Sequence, residues 1–173
     1  IAAMLISEGV NEPLDRLAQI CGLMKERATF AQDILTEGAY LFNRPTEFDK
    51  ETILKKWKDE TTSYIQEWSA IVGDISTFTA EEIEKAFKSF LEAKQVGIGA
   101  VLLPYRLCVT GVGAGPGMFD ISAFLGKDEV LARLTSGLTE IQKLVIASGN
   151  AGKVKEFRDY LADLGITLVA KPD

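Results

Sequence analysis

The sequence predicts a mainly α-helical fold that closes with a short β-α-β segment. Apolar residues recur every three or four positions through most of the first 141 residues, which is the spacing of a buried helix face. Near residue 142 this pattern gives way to a continuous apolar run, a polar turn, a helical stretch and a second apolar run. We therefore predict a first helical bundle over 1–75, a second over 76–141 and a β-α-β fragment over 142–173.

The first region divides into several helices around one break. Pro13 suits a first helical turn, and an apolar stripe follows it. Pro45 interrupts the helical pattern within residues 42–49, and a new helix is predicted to begin near Asp49. The apolar positions that define these helices are Leu14, Leu17, Ile20, Leu23, Met24, Phe30, Ile34, Leu35, Ile53, Leu54, Trp57, Tyr64, Ile65, Trp68 and Ile71.

The second region begins with the clearest helix signal. Thr79 and Glu82 have the spacing of a capping box, which predicts that a helix begins there. Pro104 cannot donate to a β-ladder, so the stretch around it favours a short helix over a strand. Two further short helices are predicted to end at Gly126 and Gly137. In the tail, residues 143–147 and 166–170 are typical of strands, with a helix between them.

Composition excludes several classes of function. The chain has no histidine, so Ser-His-Asp triads, Cys-His pairs and H-E-x-x-H zinc sites are impossible, and any chemistry would need carboxylates, lysine or a bound metal. The net charge of −6 argues against a basic field over the whole surface, although a local basic patch stays open. Cys21 and Cys108 lack C-x-x-C spacing and are expected to be reduced, buried thiols. Because no run of about 18 apolar residues and no signal peptide is present, we expect a cytoplasmic protein without a membrane partner.

A glycine-rich stretch over residues 109–120, VTGVGAGPGMFD, raises the question of phosphate binding. A dinucleotide loop needs G-x-G-x-x-G, but the sixth residue counted from Gly111 is Pro116, and counted from Gly113 it is Met118. A Walker loop ends in Gly-Lys-Ser/Thr, and Gly117 is followed by Met118 and a phenylalanine. The stretch therefore favours a turn between two helices that brings backbone close to a partner.

Residues 102–134, LLPYRLCVTGVGAGPGMFDISAFLGKDEVLARL, resemble the C-terminal anticodon-binding part of bacterial glutamyl-tRNA synthetases. Segments 21–30 and 51–61 also resemble helical segments of that family, so the resemblance extends over about residues 1–140. The positions in register with the family pattern are Pro104, Arg106, Thr110, Gly111, Phe119, Leu125, Gly126 and Lys127.

The resemblance implies an α-helical cage of two bundles that grips the anticodon loop of tRNA-Glu. It implies RNA contacts by Arg106 and by the turn formed by Gly115, Pro116, Gly117 and Met118, while Arg27 matches, more loosely, an arginine with which the family reads the anticodon. Gly115 departs from relatives that carry threonine there. These residue types suit the role, because unpaired loop bases are read at their edges by planar guanidinium groups and by closely approaching backbone.

The resemblance also implies that the chemistry lies elsewhere. The family's ATP site has an H-I-G-H-like signature and a K-M-S-K-S-like loop, and neither occurs here. We therefore expect no catalytic residue, no metal site and no cofactor on this chain, with ATP and Mg²⁺ used by the full-length synthetase, and we expect a monomer.

The tail shows a second resemblance. Its apolar run followed by Ser148, Asn150 and Lys153 is similar to the opening of the Ham1/inosine-triphosphate pyrophosphatase family, [ST]-x-N-x-x-K between a strand and a helix. A hydroxyl, a lysine and helix N-terminal amides would form an anion site. The resemblance covers only about residues 142–173, and the acidic residues that hold Mg²⁺ in such enzymes would follow later in the sequence. Two alternatives therefore stay open beside the anticodon module: part of a nucleotide pyrophosphatase, or a helical protein-interaction module.

Overall fold

The regular structure of the protein is helical wherever the computed structural model describes it, over residues 1–148 and residue 162. The helices are α1 (Ala2–Ser7), α2 (Leu14–Met24), α3 (Ala31–Glu37), α4 (Lys50–Lys56), α5 (Thr61–Asp74), α6 (Ala80–Lys94), α7 (Leu102–Thr110), α8 (Met118–Leu125) and α9 (Lys127–Ala147), with 3₁₀ turns at Ala39–Leu41 and Ile98–Ala100. The prediction of a mainly helical fold is confirmed. Among the helices of this described part, none is long and apolar enough to cross a bilayer.

Side-chain caps fix where the helices begin. The Thr79 hydroxyl accepts the Glu82 amide at 3.3 Å at the start of α6, as its capping spacing predicts. The Asp49 carboxylate accepts the Thr52 amide at 3.0 Å and begins α4 directly after the predicted break. Pro104 lies in the first turn of α7, where its missing N–H costs no helical hydrogen bond. These three predictions from the sequence are therefore confirmed.

Helix α9 lies at the centre of the fold and contacts α4, α5, α7 and α8. Beside it, Trp68 meets Phe87 edge-on with ring centroids 4.9 Å apart and meets Tyr105 at 5.5 Å. The Tyr105 hydroxyl lies 2.6 Å from the Ser122 hydroxyl, so this polar group of the aromatic cluster has a hydrogen-bond partner. The cluster joins α5, α6, α7 and α8 and fixes the helix that carries Arg106.

The predicted strand at 143–147 is wrong, because these residues form the last turns of α9. Its apolar run has β propensity, but in a helix Val145 is buried on the same face as Ile141, with exposed fractions of 2% and 0%. On the same helix, the buried Gln142 amide hydrogen-bonds the Thr62 hydroxyl of α5. Tertiary packing therefore overrides local propensity here. The second predicted strand, at 166–170, lies outside the described residues.

Gly137 does not end a helix, contrary to the prediction, and lies inside α9. A Cβ at this position would overlap the Cys108 carbonyl oxygen and lie 2.8 Å from the Cys108 Cα. The missing side chain therefore lets α9 pack directly on the backbone of α7. Both cysteines are free, with Cys108 buried and Cys21 only partly so. Burial raises the pKa of the Cys108 thiol, which keeps it protonated and unreactive.

Candidate nucleic-acid interface

A cleft of about 530 Å³ opens between the end of α2 and the turn that follows α7. Its lining comes from both halves of the chain: Arg27 follows α2, Tyr40 lies on the first 3₁₀ turn, Thr52 lies on α4, and Gly113 and Gly115 belong to the turn. The turn that was predicted from the glycine-rich stretch therefore forms one wall of a surface cleft.

Gly111 sets the direction of the chain as it leaves α7. Its φ of 77° lies in the left-handed region, and its N–H donates to the Leu107 carbonyl at 2.9 Å, as at a glycine helix end. Its carbonyl accepts the Asp49 amide at 2.8 Å. A Cβ at Gly111 would overlap the Glu47 carbonyl oxygen, so only glycine lets the turn lie against the segment before α4.

Arg106 holds the far side of this turn. Its Nη2 donates to the Pro116 carbonyl at 2.8 Å, and the side chain is half-buried beneath the turn. Its Nη1 is buried and has no hydrogen-bond partner among residues 1–148. Burial lowers the pKa of the Arg106 guanidinium, and the nearby charge of Arg27 lowers it further, while Tyr40 acts in the opposite direction. One charged donor is thus left over inside the site.

Tyr40 lies beside this guanidinium and is the site residue that sequence reasoning missed. Its side chain is 4% exposed, and its hydroxyl, like Arg106 Nη1, has no partner in the described part of the chain. Burial raises the pKa of the Tyr40 hydroxyl, and the positive charges of Arg106 and Arg27 work against that rise. No local pattern around Tyr40 distinguishes it from a core tyrosine, so only the fold reveals it.

Gly115 covers the two unpartnered groups. A Cβ built on it would lie 2.8 Å from Arg106 Nη1 and 2.8 Å from the Tyr40 hydroxyl oxygen. Such a contact is too close for either group to keep its place. Glycine here therefore allows the turn to close directly over the polar pair.

The remaining predicted contact residues fall at different depths. Arg27 is exposed and lines the cleft, and Gly117 is the exposed N-cap of α8. Met118 is 2% exposed, so its side chain packs in the core and offers no contact surface. Ser148 ends α9, where its hydroxyl donates to the Val145 carbonyl at 2.6 Å. Asn150 and Lys153 lie outside the described residues.

Charge in the cleft is balanced. Arg27 lines the cleft and Arg106 lies beneath its glycine-rich wall, while Glu37 and Asp49 bring two negative charges to the lining. Thr52 donates to the Asp49 carboxylate from its hydroxyl at 2.6 Å, and these hydrogen bonds lower the pKa of Asp49 and keep it ionised. A cleft with both signs suits the mixed donors and acceptors of a base edge better than a phosphate. Within residues 1–148 no cluster of acidic or cysteine side chains could hold a metal ion.

A buried arginine supports the cleft from behind. Arg133, on α9, is 3% exposed, and its Nη1 donates to the Tyr40 carbonyl at 2.7 Å and to the Val109 carbonyl at 3.2 Å. Its Nε donates to Glu129 at 2.8 Å, and the same carboxylate accepts two hydrogen bonds from the exposed Arg44. One cation therefore ties the Tyr40 backbone to α7 and α9.

Comparison with known proteins agrees with this arrangement. The profile of the family described as "Anticodon binding domain" matches residues 2–138. The chain is 34% identical over 131 residues to a glutamate–tRNA ligase of Phocaeicola vulgatus, covering 76% of this chain and 26% of that protein. It is 31% identical over 140 residues to a glutamate–tRNA ligase of Flavobacterium johnsoniae, covering 81% and 28% respectively.

A solved structure shows the same similarity in three dimensions. The crystal structure of a glutamate–tRNA ligase from Elizabethkingia meningosepticum, in complex with its amino acid, superposes with a TM-score of 0.72 at 34% identity. The superposition covers 79% of this chain and 27% of that one. The chain thus spans about a quarter of the length of these relatives. Because the family profile extends over most of the sequence, including both walls of the cleft, the protein belongs to the anticodon-binding domain family.

Proposed function

We propose that this chain is the anticodon-recognition module of a glutamate–tRNA ligase and that it binds the anticodon loop of tRNA-Glu. One observation carries the proposal: the Arg106 guanidinium lies under the glycine-rich turn with a buried donor that has no partner among residues 1–148. Arg27 lies across the same cleft. Two arginines and a glycine turn around one cleft are suited to unpaired bases, which present flat faces and polar edges.

The division of labour within the cleft follows from exposure. Arg27 is accessible from solvent and is placed to meet an incoming base first. Arg106 is held by Pro116, so its guanidinium plane is already oriented and little side-chain freedom is lost on binding. Gly115 and Gly117 have no side chains of their own, so a base can approach their peptide groups closely. We also propose that the helical part consists of two bundles, residues 1–75 and 76–141, and that the cleft lies between them.

The catalytic step belongs to the rest of such a ligase. The matched relatives are about four times longer than the matched region, since it covers 26% of the Phocaeicola vulgatus protein. We propose no catalytic residue and no cofactor on this chain, with ATP and Mg²⁺ acting in the full-length, monomeric enzyme. The contribution of this module is then to select the tRNA whose acceptor end is charged with glutamate.

Replacing Arg106 with alanine is expected to weaken binding of the tRNA-Glu anticodon stem-loop about tenfold. The substitution removes both the oriented guanidinium and the bond that holds Pro116. A good base contact is worth roughly 1–3 kcal/mol, which corresponds to at least a several-fold change in affinity. Fluorescence anisotropy with an end-labelled, unmodified stem-loop measures the dissociation constant.

Lys88→Ala is the matched control for this experiment. It also removes one positive charge, but from an exposed site on α6 where Lys88 pairs with Glu84 at 2.7 Å. A general loss of electrostatic attraction would weaken both variants alike. If Arg106→Ala binds the stem-loop as tightly as Lys88→Ala does, the role assigned to Arg106 is wrong.

We propose separately that the tail is related to the Ham1/inosine-triphosphate pyrophosphatase family but does not act as one in this chain. The motif of Ser148, Asn150 and Lys153 supports kinship, whereas Ser148 ends helix α9 here and does not follow a strand. The purified chain is expected to release no pyrophosphate from inosine triphosphate in the presence of Mg²⁺. Release above that of a protein-free blank in a coupled pyrophosphate assay would overturn this.

A further inference from the structure

The floor of the cleft contains two polar groups whose hydrogen-bonding capacity is unused. Within the described residues, the Tyr40 hydroxyl and Arg106 Nη1 are both buried and both lack a partner. Buried polar groups are nearly always paired in folded proteins, so two orphans at one place need an explanation. Both lie against the same point, the site of a Cβ on Gly115.

The chemistry of the pair matches a base edge. A guanidinium nitrogen only donates hydrogen bonds, whereas a phenolic hydroxyl can donate or accept. Together they can bond an edge that carries an acceptor beside a second polar group, a pattern that all four RNA bases present. Burial raises the pKa of the Tyr40 hydroxyl, so it keeps its proton and can donate as well as accept a hydrogen bond.

Access to the pair depends on the turn above it. Gly115 closes over both groups, and Gly113 lies two residues earlier, with the exposed Ala114 between them. Two glycines in three residues give this backbone many accessible conformations, so a shift of the turn costs little. The far end of the turn stays anchored, because Arg106 Nη2 bonds the Pro116 carbonyl.

We propose that Tyr40 is a specificity-determining residue of the anticodon cleft. When the turn of Gly113–Gly115 moves aside, its hydroxyl and Arg106 Nη1 hydrogen-bond the edge of one unpaired base. This inference rests on the proposed function and names a residue that acts in it. Arg133 holds the Tyr40 carbonyl at 2.7 Å, so the backbone under the hydroxyl is fixed before RNA arrives.

Tyr40→Phe tests the proposal because it removes only the hydroxyl. The ring keeps its place in the core, and loss of an unpaired buried hydroxyl is expected to leave the melting temperature unchanged or raised. Affinity for the tRNA-Glu anticodon stem-loop is expected to fall roughly tenfold, the loss of one good base-edge contact. Tyr64→Phe, which removes a hydroxyl from α5 away from the cleft, is the control and is expected to bind as the wild type does.

Three stem-loops, each with one anticodon base replaced, show whether the hydroxyl reads a base. In the wild type each replacement is expected to weaken binding, and in Tyr40→Phe the penalty at one position is expected to shrink. If Tyr40→Phe binds every stem-loop more weakly than the wild type by the same factor, a scrambled loop included, the hydroxyl only supports the fold and the proposal is wrong. The proposal is also wrong if Tyr40→Phe binds the native loop as tightly as the wild type does and loses the same affinity at each replaced base. That result would leave the proposed function intact. A wild type that does not distinguish the anticodon from a scrambled loop would refute the proposed function itself.

Discussion

Gly137→Ala is expected to destabilise the protein by about 1–3 kcal/mol, the usual cost of overpacking a well-packed contact. The added methyl group would overlap the Cys108 carbonyl oxygen, and a backbone atom inside a helix cannot rotate away as a side chain can. Helix propensity acts in the opposite direction, since alanine is favoured over glycine by about 1 kcal/mol in a helix interior. The clash wins because α7 and α9 must separate to relieve it.

Gly22→Ala is the control with the opposite expected sign. Gly22 lies within α2, is exposed, and has no atom within 4 Å of its Cβ position. The same substitution there gains helix propensity without a clash and is expected to stabilise the protein by roughly 0.5–1 kcal/mol. Urea denaturation followed by circular dichroism measures both variants. Equal stability changes in the two would show that α7 and α9 do not pack as described.

Gly137 illustrates why a helix end could not be predicted from the sequence alone. Glycine commonly ends helices, so the sequence alone favours a stop, whereas the fold uses the glycine for close helix packing. The strand predicted at 143–147 is wrong for a related reason: over five residues, a buried helix and a buried strand have the same apolar sequence pattern. By contrast, the starts of α4 and α6 depend on Asp49 and Thr79 acting through neighbours in sequence, and such local signals were predictable.

In the candidate site, too, some residues could be predicted from the sequence and others could not. Arg106 and the glycine-rich turn are close in sequence, and the structure brings them into hydrogen-bond contact through Pro116. Arg27 lines the same cleft, as the resemblance led us to expect. Tyr40 and Arg133 could not be predicted, because their roles come from contacts between segments distant in sequence. The RNA contacts of all these residues stay a prediction.

Arg133→Met is expected to destabilise the protein by about 2–4 kcal/mol, because each buried acceptor that loses its donor costs roughly 1–3 kcal/mol. Methionine fills much of the space but leaves the Tyr40 and Val109 carbonyls without their donor. Arg44→Met is the matched control, since it removes an exposed cation from the same Glu129 and is expected to change stability far less. Denaturant melts of the two variants, compared with the wild type, measure the difference.

The free energy of unfolding that Arg133→Met loses depends on pH if the ion pair with Glu129 contributes to it. Hydrogen bonds from Arg44 and then from Arg133 lower the pKa of Glu129 from 4.5 to about 2. Because the folded-state pKa is below the unfolded one, this stabilisation is fully present above about pH 4.5 and is lost as the pH falls toward 2. The difference in the free energy of unfolding between wild type and Arg133→Met is therefore expected to shrink as the pH falls from about 4.5 toward 2. A difference in the free energy of unfolding that stays constant from pH 6 to pH 3 would mean that the ion pair contributes nothing and that Arg133 acts through its packing and its bonds to the Tyr40 and Val109 carbonyls.

Titration of the wild-type chain with the tRNA-Glu anticodon stem-loop tests the central claim most directly. The comparison is a stem-loop with the same stem and a scrambled anticodon, at one fixed salt concentration, because phosphate contacts alone depend strongly on salt. If the cleft around Arg106 reads unpaired bases, the native loop binds at least tenfold more tightly. Equal affinity for the two loops, or no binding to either, would contradict the account.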